Sequence, residues 1–313
     1  MKVKVFIDGS SGTTGLRIAD RLAERPEIEL LSISAEGRKD VHERAKVINS
    51  ADLAFLCLPD AASKEVMPLL RPDVKVLDTS TAFRTDAAWD YGFPELKGQK
   101  AKIQNSYRVA VPGCYASGFI SIARPLVELG LVAKDYPFSC TGISGYSGGG
   151  KKMIADYESP DRPAHSKLDA PKSYGLGLAH KHLPEMQKIS GLAHTPAFVP
   201  VVCDYYSGMQ VLVPLDLKLA GTSAEAVAAG IADYYKEGAT VSVHALNEPL
   251  PENGLYSNAL SGSDRMELYM TVNAAGDQMM LVSLFDNLGK GSSGAAIQCM
   301  NLMLGMNETE GLE

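Results

Sequence analysis

The chain has 313 residues, 45 % of them hydrophobic and 21 % charged, with a formal net charge of −7. That length suits two domains, since single cores seldom grow beyond roughly 250–300 residues, and the composition excludes a disordered or fibrous class. The acidic balance argues against a nucleic-acid or anionic-membrane partner, and no run of about 18 apolar residues is present to span a bilayer.

The chain opens on Val3–Asp8, a short apolar run that reads as a strand and carries no signal-peptide pattern, so a cytoplasmic location is expected. Gly9-Ser10-Ser11-Gly12-Thr13-Thr14-Gly15 follows, and then an amphipathic helix over Leu16–Leu22. Strand-like Ile28–Ser34, a polar helix over Val41–Asn49, strand-like Leu53–Leu58, a helix over Ala61–Leu70 and strand-like Val74–Asp78 come next. This alternation predicts βαβ units on a parallel sheet. Val109–Val111 reads as one more strand, and a helix runs from Tyr115 to about Leu129.

The texture then changes. Apolar segments at 138–143, 197–202, 209–217, 267–273 and 279–285 alternate with few helices, one over Ser223–Tyr235 and one after Pro184. They predict a mixed, mostly antiparallel sheet in an α+β domain. A final amphipathic helix covers Ser293–Leu304. The expected class is α/β, with an N-terminal Rossmann dinucleotide-binding domain of residues 1–113 with 290–313 and a catalytic and oligomerisation domain of residues 114–289.

The loop Gly9–Gly15 places Gly9, Gly12 and Gly15 between a strand and a helix start, where a backbone without side chains lets a pyrophosphate reach the amide hydrogens and the positive end of the helix dipole. Ser11, Thr13 and Thr14 add hydroxyl donors. After the second strand an NAD binder usually carries an acid for the ribose 2′-hydroxyl. Here Ser32 and Ser34 precede Arg38 and Lys39, with Glu36 as the competing acceptor, a set that favours the 2′-phosphate of NADP.

The five cysteines form no C-x-x-C pair, so neither a disulfide framework nor a metal site is expected. Four lie in apolar runs. Cys114, in Val111-Pro112-Gly113-Cys114-Tyr115-Ala116-Ser117-Gly118, stands instead between strand and helix, where helix-end amides favour the thiolate. It is the candidate nucleophile. Among six histidines, His180-Lys181-His182 is the one close pair, and either imidazole suits an acid/base role with Lys181 facing an anionic substrate.

Taken together these segments resemble the N-acetyl-γ-glutamyl-phosphate reductases, in particular their shorter branch, within the aspartate-semialdehyde-dehydrogenase-like group. The likeness runs over nearly the whole chain. It is carried by the glycine loop, Asp78–Arg84 (DTSTAFR), the segment around Cys114, Ser144–Gly150 (SGYSGGG), His180–Glu185 (HKHLPE) and Asp286–Gly291 (DNLGKG). It implies an acyl-phosphate substrate, Cys114 as nucleophile through a thioester, His182 as acid/base, and NADPH as the reductant in arginine biosynthesis. By the same resemblance Ser80, Gly148, Asn287 and Lys290 belong to the cofactor site. Donors expected for the substrate phosphate are Arg84, Arg108 and Lys181, and Tyr146 or Tyr174 suits an acetamide. A homo-oligomer, dimer or tetramer, is implied. Two departures are that Ala82 stands where the longer branch carries Asp, and Ser117 where threonine is common. The nearest alternative is an aspartate-semialdehyde dehydrogenase; a more distant one is a non-catalytic NADP-binding sensor, which would need neither Cys114 nor a distant histidine.

Overall fold

A computed structural model describes residues 2–313. The chain forms two compact units, residues 1–113 with 292–312, and residues 114–291 with Glu313. In the first, β1 (Val3–Asp8), α1 (Thr13–Ala23), β2 (Ile28–Leu31), α2 (Val41–Ser50), β3 (Leu53–Leu56), α3 (Asp60–Val66), β4 (Lys75–Asp78), β5 (Asp90–Tyr91), α4 (Gln99–Asn105) and β6 (Arg108–Ala110) follow in order. The six strands are all parallel, in the order β2-β1-β3-β4-β6-β5. Strands of such a sheet are covered on both faces, and all four residues of β3 are accordingly buried.

The second unit contains α5 (Cys114–Glu128), β7 (Ser139–Gly145), α6 (Gly150–Tyr157), β8 (Lys172–Ser173), α7 (Leu183–Ser190), β9 (Ala197–Cys203), β10 (Met209–Asp216), α8 (Leu217–Ala220), α9 (Ala224–Tyr235), β11 (Val241–Val243), β12 (Met266–Val272) and β13 (Gln278–Phe285). Its seven strands run β11-β12-β13-β10-β7-β9-β8, with only β11/β12 and β7/β9 parallel. The expected mixed, mostly antiparallel sheet is present. Helix α5 lies against β10 and β13 because Gly118 has no side chain. A Cβ there would meet Val211 Cγ2 at 2.6 Å and Ser283 Oγ at 2.7 Å.

The last helix, α10 (Gly294–Met303), belongs to the first unit, and all ten of its residues are buried. Ala295, Ala296, Ile297, Met300 and Met303 share one core with Val5, Ile18, Phe55, Leu77 and Val109. Arg25 fixes it further by donating from Nη1 to Asn301 Oδ1 at 2.7 Å.

Several boundaries differ from the sequence reading. β2 ends at Leu31 rather than Ser34, because the Ser34 hydroxyl accepts from the Gly37 amide at 3.0 Å and turns the chain. α5 starts at Cys114 itself, not at Tyr115. Lys290 and Gly291 group with the second unit, where the Gly291 amide bonds the Asp286 carbonyl at 2.9 Å. β5, β8 and the short α4 and α6 escaped the reading, since two residues carry no period and both helices are largely polar. Among the described residues no helix is long and apolar enough to cross a membrane.

Candidate active site

In the first unit the glycine loop is shaped by close backbone contacts. Gly9 has φ +89°, and a Cβ there would lie 2.3 Å from the Cys57 carbonyl oxygen. A Cβ on Gly15 would lie 2.4 Å from the Gly9 carbonyl oxygen. The Gly12 amide donates back to that same carbonyl at 2.9 Å. Gly12 caps α1 without a side-chain hydrogen bond, and no acid occupies the first turn, so the amides of the helix end remain suited to an anion.

Beside the loop lies a cavity of about 390 Å³ lined by Asp8, Gly9, Ser10, Ser11, Leu30 to Ile33, Leu58 and Arg38 among others. Gly9 and Ser11 thus face one space with Arg38, which is 27 residues beyond Ser11 in the chain. Arg38 brings a cation to this cavity, while Glu36 lines a neighbouring groove instead. The acid in the cavity, Asp8, is neutralised from behind: Arg44 Nε lies 2.8 Å from its carboxylate, and burial pushes its pKa up. Thr14 Oγ1 lies 3.0 Å from Ser292 Oγ. Ser80, just past β4, donates its hydroxyl to buried Asp78 at 2.6 Å, and Ser34 holds the turn that presents Arg38. A dinucleotide with a 2′-phosphate fits these groups. The glycine cradle, the open helix end and the cation are all in place.

The second unit gathers the reactive residues. Cys114 is half-buried at the first position of α5, which faces it with helix-end amides. The other thiols are poor competitors. Desolvation pushes Cys57 up to about 12 and raises Cys140 and Cys203 as well, and buried Cys299 donates to the Gly92 carbonyl at 3.4 Å. Gly291 abuts the nucleophile, since a Cβ there would lie 3.0 Å from Cys114 Cβ.

His182 is 4 % exposed and sits at the start of α7, with Pro184 in the first turn. His180 is half-buried, and its Nδ1 accepts from the His182 amide at 3.2 Å. The two rings meet edge-on with centroids 4.8 Å apart. Burial, aided by the exposed Lys181 beside it, holds His180 below its ordinary value. Tyr115 and Tyr174 complete the group, with Tyr174 Oη donating to Tyr115 Oη at 3.3 Å. The pKa of each is raised chiefly by burial, and the neighbouring Cys114 contributes to both.

Three of the expected substrate residues have protein partners of their own. Arg108 stands at the amino end of β6, whereas ligands of parallel sheets bind at the carboxyl ends. Its guanidinium donates to the carbonyls of Val74, Tyr107 and Arg71. Arg84, 8 % exposed, donates to the carbonyls of Val111 and Thr79 at 2.9 Å and braces the turn after β6. Tyr146 stacks on Tyr157 at 4.7 Å and donates to Glu158 at 3.1 Å, whereas Cys114 contributes to the raised pKa of Tyr174. Gly148 and Asn287 are brought together. Asn287 Oδ1 accepts from the Gly208 amide at 2.8 Å, and Nδ2 donates to Ser147 Oγ at 3.0 Å. Lys290 is 2 % exposed, in the turn that carries Gly291 past Cys114. Tyr115 went unread as a site residue; its place directly after the cysteine was the available signal.

A family model described as "Semialdehyde dehydrogenase, NAD binding domain" matches residues 4–104, and one described as "Semialdehyde dehydrogenase, dimerisation domain" matches residues 114–287. The N-acetyl-gamma-glutamyl-phosphate reductase of Trichormus variabilis is 45 % identical, over 99 % of both chains. That of Chelativorans sp. is 46 % identical over 97 % of this chain and 99 % of its own. Among solved structures, aspartate semialdehyde dehydrogenase II from Vibrio cholerae has the same fold, with a TM-score of 0.68 at 18 % identity, covering 97 % of this chain and 99 % of that one. The nucleotide cradle, the helix-terminal thiol and these likenesses agree: the chain belongs to the N-acetyl-gamma-glutamyl-phosphate reductase family, built on the semialdehyde dehydrogenase fold.

Proposed function

We propose that the chain reduces N-acetyl-L-glutamyl 5-phosphate to N-acetyl-L-glutamate 5-semialdehyde with NADPH, a step of arginine biosynthesis. The observation that carries the reading is Cys114 at the first position of α5, grouped with Tyr115 and Tyr174, which in turn pack on the two histidines ahead of α7. The reductases it resembles at 45–46 % identity over nearly their full length support the substrate.

The Cys114 thiolate attacks the acyl carbon, the carbon–oxygen bond to phosphate breaks, and phosphate leaves with the electron pair and takes up a proton. An acyl group stays on the sulfur as a thioester. Helix-end amides around Cys114 stabilise the oxyanion that forms on the way. NADPH, which the glycine loop and Arg38 would hold, would supply the hydride that the thioester carbon receives. His182 then protonates the alkoxide on that carbon, and takes the proton back as the carbon–sulfur bond breaks and the aldehyde leaves. Lys181, exposed next to these imidazoles, offers the phosphate a cation, and Tyr174 offers a hydroxyl to the acetamide of the substrate. The protein acts as a cytoplasmic homo-oligomer in this reading; the second family model, by its description a dimerisation domain, supports the assembly.

The reaction run in reverse tests the substrate. NADP reduction in the presence of inorganic phosphate is measured with N-acetylglutamate semialdehyde and with aspartate semialdehyde. A kcat/KM at least about 10²-fold higher for the acetylated aldehyde is expected, since a site built for an amide leaves a free ammonium unpaired. Preference for the free amine would favour the aspartate-semialdehyde reading.

A further inference from the structure

Tyr115 follows the nucleophile in the chain, and the mechanism above gives it no part. Its ring lies on the bare backbone of Gly142 in β7. A Cβ there would sit 2.4 Å from Tyr115 Cδ1 and 2.6 Å from Cε1, so only glycine leaves the ring in this seat. Phe198 of β9 meets the ring at 5.1 Å between centroids. His180 and His182 pack against it at 5.9 and 6.1 Å. The hydroxyl donates to the Val201 carbonyl and accepts from Tyr174, both at 3.3 Å. One side chain with two torsions therefore touches β7, β9, the segment ahead of α7 and the loop that carries Tyr174. Because Tyr115 and Cys114 are consecutive in the first turn of α5, the seat of the ring fixes the rotation of that turn, and with it the direction of the thiol.

We propose that Tyr115 is a positioning residue that sets the approach of the Cys114 thiolate relative to the His182 imidazole, with Gly142 as its obligatory seat. This rests on the reading of Cys114 as nucleophile and His182 as acid/base. Tyr115 packs on both histidines and acts through the geometry of the thiol and imidazole, so its effect falls on turnover rather than on substrate binding. Misplacing reacting groups by about 1 Å costs on the order of 10²-fold.

Three variants test it: Tyr115→Phe, which keeps the ring, Tyr115→Leu, which removes it, and Gly142→Ala, which keeps the tyrosine and drives it from its seat. For each, kcat and KM are measured from about pH 6 to 9, together with the rate of Cys114 alkylation by iodoacetamide, which needs no substrate. Tyr115→Leu and Gly142→Ala are expected to lower kcat by on the order of 10²-fold with KM nearly constant. Both are also expected to alter the pH dependence of alkylation, whereas Tyr115→Phe stays within about tenfold of the parent. Folding is checked by thermal unfolding, and Gly142→Ala decides the matter if Tyr115→Leu does not fold. Wild-type kcat and alkylation profile in a folded Tyr115→Leu or Gly142→Ala overturns the proposal. A Cys114→Ser control separates the two ideas. Full turnover there sinks the nucleophile itself, while an inactive Cys114→Ser beside an unaffected Tyr115→Leu sinks only the positioning role.

Discussion

The two units handle charge by opposite means. The first receives an anion with backbone: a left-handed glycine at Gly9, a close approach at Gly15 and the uncapped amides of α1. Its demands are local, and seven consecutive residues carry most of them. The second assembles side chains from distant segments, with Cys114 on α5, Tyr174 after β8, His180 and His182 ahead of α7 and Phe198 on β9. There the chemistry depends on packing, and no short stretch contains it. A binding loop of the first kind announces itself in sequence, whereas a reactive centre of the second kind shows only its nucleophile.

The comparison is sharpest at Cys114. Replacing it with serine should abolish turnover, by more than about 10⁴-fold, because a hydroxyl lacks the thiolate's nucleophilicity. NADP binding to the first unit should persist, which equilibrium titration by fluorescence would show; activity near that of the parent would remove the basis of the mechanism.

Within the second unit, His182→Asn should lower kcat by about 10²–10⁴-fold, the range for a lost acid/base, and His180→Asn by much less. The neutral limb of the rate profile should vanish only with His182→Asn. A reversed result would move the acid/base role to His180, whose Nδ1 then loses its bond to the His182 amide on protonation.

The first unit is tested at Arg38. Arg38→Ala should weaken NADP binding by roughly 10–100-fold and leave NAD binding nearly unchanged, since a charge-assisted contact to the 2′-phosphate contributes about 1.5–3 kcal/mol. Equal losses for both cofactors would place the 2′-phosphate away from this cavity.

The smallest effect concerns acid stability. His180 is held below its ordinary value of 6.5 by burial and by Lys181, so the unfolded chain binds that proton more readily than the folded one. Its contribution is intact above pH 6.5 and is lost as the pH falls below it. Thermal unfolding followed from pH 8 to 5 should show a shallower loss in His180→Asn than in the parent. An identical slope in both would mean that other groups set the acid limb.

What could be read in advance follows the same division. Gly9, Ser11 and Arg38 were legible because a strand, a glycine turn and a helix start impose fixed residue types at fixed spacing, and the cavity does bring the three together. Cys114 was legible from its place between strand and helix. Tyr115 was not, because its role depends on Gly142 and Phe198, which reach it only through the pairing of β7 with β9. Arg108 stands at the amino end of β6, where its guanidinium holds backbone carbonyls, a placement that its nearness to Cys114 in sequence does not reveal. Tyr146 and Tyr174 were indistinguishable by composition. The stacking partner Tyr157 and the acceptor Glu158 of Tyr146 come together with it only in the fold.

The return of α10 to the first unit has a consequence for biosynthesis. During translation, the strands bearing Val5, Phe55, Leu77 and Val109 leave the ribosome early, but the helix that shares their core is made only after all of Cys114–Gly291. The second unit is continuous but for Glu313 and can fold while its neighbour still exposes an apolar sheet face. The nascent nucleotide-binding unit therefore waits, partly open, for its last helix, and this interval is when a chaperone would be needed and when aggregation would compete.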